Sequence, residues 1–142
     1  GNTSITYAGI QVAWTITSDM RLKQNIKNSD LGLGFICKLR PVSYIRLNDE
    51  SQSTEYGFIS QEVDDLLKEV SPEKTGMISV DNENTYSLRY NDLIAPMVKA
   101  IQELKAENDK LKNEHEDLEL RLKKLEEKLN VYSAQHENST EK

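Results

Sequence analysis

The sequence has too few cysteines and histidines to build the common metal or disulfide sites. Cys37 is the single cysteine among 142 residues, which excludes an internal disulfide and a metal site made of several cysteines. His115 and His136 lie far apart in the sequence among charged neighbours. We therefore expect no metal and no other cofactor.

An excess of positive charge and long apolar runs are also missing. Lys and Arg number 18 against 24 Asp and Glu, a net charge of −6. Because binding to phosphate needs a basic face, we expect no nucleic acid partner. The apolar runs are far shorter than the roughly 20 residues that span a bilayer, so we expect no membrane partner. The sequence begins at Gly1 without an initiator methionine, so we expect it to be part of a longer chain.

Residues 3–17 have the alternation typical of a β-strand. Apolar side chains recur at every second position, at Ile10, Val12, Trp14 and Ile16. The pattern fits an ordinary edge strand, and it fits equally the end of a larger β-structure that lies upstream.

Residues 18–92 read as a small mixed domain. Ser18 or Asp19 is a candidate cap for a short helix that carries Leu22 and Ile26. Strands are predicted at 41–47 and 56–59, and a hairpin at 77–80 and 85–88. A helix that starts at Ser60 and stops at Pro72 should bury the stripe formed by Val63, Leu66, Leu67 and Val70. So few large apolar residues make a marginal core, which another part of the chain must complete.

From Ile94 onward, apolar positions recur at spacings of three and four, the pattern of a coiled coil. The predicted a and d positions run over 39 residues, about 58 Å of helix. They are Ile94, Met97, Ile101, Leu104, Asn108, Leu111, His115, Leu118, Leu122, Leu125, Leu129 and Tyr132.

The charges beside this stripe favour a parallel bundle. Glu107 with Lys112, and Arg121 with Glu126, would attract between parallel copies, whereas one further pair would repel. Asn108 and His115 at a positions should fix the register; an ion site or pH sensor at the axis is the alternative reading. Leucine at both a and d leaves the number of strands open. Residues 133–142 lack periodicity and should fray.

Ser18 and Lys23 are the one local pair that could support catalysis. A lysine acts as a base only after losing its proton, which burial or a nearby cation such as Arg21 favours. Residues i and i+5 point about 140° apart on a regular helix. The pair can meet only if Ser18 lies outside the helix or if Lys23 comes from another chain. A capping serine and a solvated lysine form the default interpretation.

Four sequence blocks follow one another in register. They are Ser18-Asp19-x-Arg21-x-Lys23-x-Asn25-Ile26, then 39–44 (LRPVSY), 56–63 (YGFISQEV) and 86–96 (YSLRYNDLIAP), which leads into 100–104 (AIQEL). Together they resemble the self-cleaving intramolecular chaperone domain of bacteriophage tailspikes and tail fibres, the endosialidase-type peptidase family. The third block has Ser60 where alanine is commoner in the family.

The resemblance implies a homotrimer that aligns an upstream β-rich passenger of the same chain and then releases itself. It implies Ser18 as nucleophile, Lys23 as base and Thr17–Ser18 as the scissile bond. Asp19, Arg21 and Asn25 would orient or polarise the dyad, or serve only as helix-cap and surface partners.

The expected fold is α+β, a small mixed domain followed by a long helix in a parallel trimeric coiled coil. The expected division is the passenger end at 1–17, the autoprocessing domain at 18–92, the coiled coil at 93–132 and a frayed tail at 133–142. The expected location is the host cytoplasm during phage assembly, with the passenger becoming part of the virion tail or an appendage.

Two other functions fit the same pattern. A structural trimer cap or adhesive tip would keep its passenger attached. A related self-cleaving module occurs in membrane-tethered transcription factors, but it would need a basic region and a membrane segment, which this sequence does not show. Tyr56, Gln61 and Glu62 are candidates to grip the passenger, with core packing as the alternative for Tyr56 and, more strongly, for Phe58.

Overall fold

A computed structural model describes residues 15–47, 49–70 and 75–137 of the chain, with side chains as far as residue 132. The strand predicted at 3–17 lies outside this description except for its last three residues, and Pro72 lies outside it too. In the parts of the chain that are described, no helix is long and apolar enough to cross a membrane.

The elements confirm the predicted α+β fold, in which short helices and two-stranded sheets precede one long helix. In the described residues, two 3-10 turns and two short α-helices accompany four strands of three residues each. In chain order the elements are a 3-10 turn Met20–Leu22, α1 Leu33–Ile36, β1 Val42–Tyr44, β2 Glu55–Gly57, α2 Ser60–Val70, β3 Ile78–Val80, β4 Tyr86–Leu88, a 3-10 turn Tyr90–Leu93 and α3 Ile94–Glu137.

Two antiparallel hairpins form where the alternation predicted strands. Val42 pairs with Gly57 in the first sheet, and β3 pairs with β4 in the second. An aspartate organises each connection: Asp49 accepts from the backbone amides of nearby serines, and Asp81 accepts from the amides of the hairpin loop at 2.8–2.9 Å. Such local bonds are why aspartate favours turns.

The core is a single small cluster beneath helix α2. Val63 and Leu67 are buried, and Leu66 and Val70 pack half-buried beside them, which confirms the predicted stripe. The buried cluster comprises Leu31, Phe35, Val63, Leu67, Met77 and Leu93.

One local prediction near the start of the domain was wrong, and the choice between the two candidate caps is resolved. Leu22 and Ile26 do not share a helix; only the 3-10 turn forms, and both side chains are exposed. Asn25 has a φ of 54°, a left-handed backbone that ends helical geometry, and asparagine tolerates it better than most residues. The cap is Asp19, whose carboxylate accepts from the amide of Arg21 at 2.8 Å, and not Ser18.

Helix α3 runs for 44 residues, as far as Glu137. It therefore passes beyond residue 132, where fraying was predicted to begin. Its first turns contact α1 and complete the small domain through buried Pro96 and Ala100. Pro96 is tolerated there because the first amides of a helix have no intrahelical acceptor.

The predicted a and d positions of α3 are exposed along their whole length. The apolar members among them, from Ile94 to Tyr132, keep between 44 and 70 % of their surface accessible. The small domain thus packs against a different face of the helix and leaves this stripe available.

Candidate active site

Ser18 and Lys23 meet within one chain. The ammonium Nζ of Lys23 donates to Oγ of Ser18 at 2.7 Å. Ser18 precedes the capping residue Asp19, and Lys23 closes the 3-10 turn with an extended backbone, φ −120° and ψ 146°. The contact therefore follows the first of the two routes left open by the spacing, with Ser18 outside the helical turn.

Asp19 and Arg21 form an ion pair beside this contact. Nη2 of Arg21 donates to Oδ2 of Asp19 at 2.6 Å, and Nε donates at 3.1 Å. The guanidinium, followed by the backbone amide of Arg21, holds the pKa of Asp19 below its ordinary value, and the carboxylate raises that of Arg21. Arg21 was considered as a cation that would favour a neutral Lys23. In the single chain its charge is instead balanced by Asp19.

The remaining members of the predicted site lie close by in the same exposed segment. Thr17 and Ser18 are both exposed, so the predicted scissile bond is accessible. Asn25 contributes the left-handed bend after Lys23, a backbone role that sequence spacing did not predict. Lys23 is also exposed. One chain therefore supplies the serine–lysine contact but does not bury it.

The second predicted surface, around β2, divides into core and exposed residues. Phe58 packs against the core and lies 6.1 Å from the ring of Tyr90, so core packing is the correct reading for Phe58. Tyr56 is 81 % exposed, so core packing is wrong for it. Gln61 is also exposed, and Glu62 is held by Arg40, whose Nε donates to Oε2 at 3.0 Å.

Glu103 links the long helix to the small domain, a role that the sequence analysis missed. Its Oε2 accepts from the amide of Leu33 at 2.6 Å, at the start of α1, and Lys99 lies 3.0 Å from its other oxygen. A side chain at Gly32 would overlap this carboxylate. The 70-residue separation between Glu103 and Leu33 explains why local pattern gave no signal.

The described part of the chain holds no group of three or more His, Cys, Asp and Glu side chains that could bind a metal ion. The chemistry available at the site is therefore that of a serine hydroxyl, a primary amine and an ion pair.

Residues 18–71 match the family model described as chaperone of endosialidase. This part of the chain is therefore similar to the chaperone of endosialidase. The match begins at Ser18 and ends just after helix α2, so it contains the Ser18–Lys23 contact and leaves helix α3 outside. The family supports a chaperone role and is linked to self-cleaving chaperones. No curated protein matches the chain.

Proposed function

We propose that this domain aligns three copies of an upstream β-rich passenger and then cuts itself free between Thr17 and Ser18. The observation that carries the proposal is the 2.7 Å contact between Lys23 and Ser18. This contact brings the amine of Lys23 to the hydroxyl of Ser18, which is the first residue that matches the family model.

The exposed stripe of α3 supports association of identical copies. Ten apolar side chains at a and d positions remain exposed in one chain, and burying each would contribute on the order of 1.5–3 kcal/mol. The partners are two further copies of the chain, because the family suggests a trimer.

The physical need for such a chaperone lies in the passenger. Intertwined β-structure makes long-range contacts, carries a large loop-closure cost and can pair in the wrong register. A coiled coil has mostly local contacts and can align three chains first. Release then removes the alignment device and leaves the folded passenger behind its unfolding barrier. This would take place in the host cytoplasm during phage assembly, after which the passenger joins the virion.

The chemistry follows from the serine and the amine. Neutral Lys23 takes the proton of Ser18 while Oγ attacks the carbonyl carbon of Thr17. The C–N bond breaks, the proton passes to the nitrogen of Ser18, and an ester joins Thr17 to Oγ. Water then hydrolyses the ester, which leaves a carboxylate on Thr17 and restores the Ser18 hydroxyl. If Ser18 instead attacks the Thr17–Ser18 bond of a neighbouring chain, the same groups take part and the same bonds form and break.

Assembly supplies what the single chain lacks. The Ser18–Lys23 contact is exposed, and the charge of Arg21 is balanced by Asp19. Packing of neighbouring copies around residues 18–23 would remove water from the amine, and desolvation disfavours its charged form. Cleavage would then depend on association.

The test is the intact mass and native mass of the chain carrying its upstream region. Ser18→Ala removes the nucleophile, and Lys23→Arg keeps a positive charge and donors but cannot act as a base. Both variants should form trimers that stay whole, whereas the parent loses everything before Ser18. Lys27→Arg is the matched control and should be cut like the parent.

Two results would contradict parts of the proposal. Processing of Lys23→Arg at the parent's rate would remove Lys23 from the mechanism. A parent that forms trimers but stays whole would instead be a non-cleaving cap or adhesive tip.

A further inference from the structure

An open groove of about 1060 Å³ lies beside helix α3, next to the chain that enters the predicted cleavage site. One wall is the first part of α3, with Ile94, Ala95 and Val98. The lining also includes Ile16, two residues before Ser18, together with Asn28. The described chain thus begins at the groove itself.

The lining has the chemistry of a site for an extended peptide. Its lining combines apolar side chains, among them Ile94 and Val98, with the side-chain amides of Asn28, Asn91 and Gln102. An amide group both donates and accepts hydrogen bonds, as a peptide backbone does.

The groove lies mostly beside the coiled-coil stripe. Ile94 belongs to the stripe and Val98, at an e position, flanks it. Ala95 and Gln102 fall at b positions and Lys99 at f, which point away from the axis of a bundle. A second copy of α3 seated on the stripe would leave most of this groove open.

We propose that the groove holds the segment that precedes the cleavage site, with Val12, Trp14 and Ile16 on its floor. These residues alternate with polar or small ones, so an extended chain presents all three on one face. Because Ile16 lines the groove, an extended chain would bring Trp14 and Val12 to the same side.

The lengths agree. An extended chain from Val12 to Ile16 spans about 13 Å. The wall of α3 from Ile94 to Gln102 rises about 12 Å. This inference rests on the proposed function: the groove is the positioning subsite that holds the Thr17–Ser18 bond beside Lys23.

The test uses the full chain with Ser18→Ala, which keeps the segment attached whatever the catalytic outcome. Trp14 is the only tryptophan of the chain, so its emission and its quenching by acrylamide report on this segment alone. We expect blue-shifted emission and protection from quenching. Val98→Glu should abolish both, whereas Val131→Glu, the same change on the same helix away from the groove, should preserve them. The two valines are 49 % and 56 % exposed.

A second pair tests the alternation without touching α3. Val12→Asp places a charge on the groove face and should release Trp14, whereas Ala13→Asp places it on the opposite face and should not. Equal quenching in all variants would overturn the proposal. Loss of the native trimer in Val98→Glu but not in Val131→Glu would assign the groove to an interface between copies, and so would also overturn it.

The fluorescence result and the cleavage result can fail separately. Protected Trp14 in a chain that is never cut would keep the groove assignment and remove the peptidase. Normal cleavage of a Ser18-intact Val98→Glu chain would keep the peptidase and remove the positioning subsite.

Discussion

Leu118→Asp compared with Leu120→Asp separates association of the chain from its folding. The two leucines lie two residues apart on α3 and are 59 % and 52 % exposed in the single chain. They lie on different faces of the helix, because Leu118 is at a d position of the heptad and Leu120 at an f position. The same substitution should therefore cost the isolated chain almost the same at either position.

The expected cost to the trimer follows from side-chain burial. Burying the 59 % of Leu118 that is exposed in the single chain contributes about 1.5 kcal/mol per copy. Over three copies, losing this contribution lowers the association constant about 2000-fold. The midpoint concentration of a monomer–trimer equilibrium varies as the inverse square root of that constant, so it rises about 45-fold. The buried charge of the aspartate adds to the cost, so the figure is a lower bound.

The assay is sedimentation or native mass across a dilution series, with helix content followed by circular dichroism. Leu120→Asp should keep the parent's midpoint within a few-fold, because exposed substitutions change stability by about 0.5 kcal/mol or less. Equal weakening by both substitutions would refute the assignment of the stripe. Trimers of Leu118→Asp that persist at the parent's midpoint would refute it as well.

The remaining predictions concern the small domain and can be tested on the single chain. Leu67→Ala should lower the free energy of unfolding by about 2–5 kcal/mol, because Leu67 is buried. Leu47→Ala, at a fully exposed site, should change it by less than about 0.5 kcal/mol. Equal effects of the two substitutions in denaturant titrations would contradict the core assignment. Gly32→Ala should push away the carboxylate of Glu103 and speed hydrogen exchange of the Leu33 amide, so unchanged exchange would argue against that contact. The Leu33 amide, followed by Lys99, holds the pKa of Glu103 below its ordinary value. The ionised Glu103 therefore stabilises the fold at neutral pH, and this stabilisation is lost as the pH falls through the lowered pKa. Glu103→Gln should weaken this acid dependence of the melting temperature, and an identical pH profile would contradict it.

Elements governed by local pattern could be predicted from the sequence. Helix α2 has its apolar residues at helical spacing, and its buried residues Val63 and Leu67 were named from that spacing. The second hairpin followed from alternation around a turn that Asp81 organises. The stripe of α3 was predictable for the same reason, because its apolar residues recur at spacings of three and four.

What the sequence did not reveal depends on contacts between distant residues or on backbone detail. Phe35 is a core residue on a four-residue helix, too short for any period to show. The Glu103–Leu33 bond joins positions 70 residues apart. At the candidate site, spacing left two routes for Ser18 to reach Lys23. The structure follows the route within one chain because a single 3-10 turn, closed by Lys23, folds the segment back toward Ser18.

Helix α3 serves two surfaces at once, and this fixes the geometry of any assembly. Ala100 and Glu103 attach the small domain, while the a and d positions lie exposed on another face, where the proposed assembly would form. Each residue of an α-helix turns the chain by about 100° and advances it by about 1.5 Å. The phase of the bundle therefore sets the direction in which each small domain, with its Ser18, points away from the axis. Inserting one residue after Glu103 would turn the distal stripe about a quarter of a circle relative to that domain, whereas a whole heptad would act as a spacer and nearly restore the orientation.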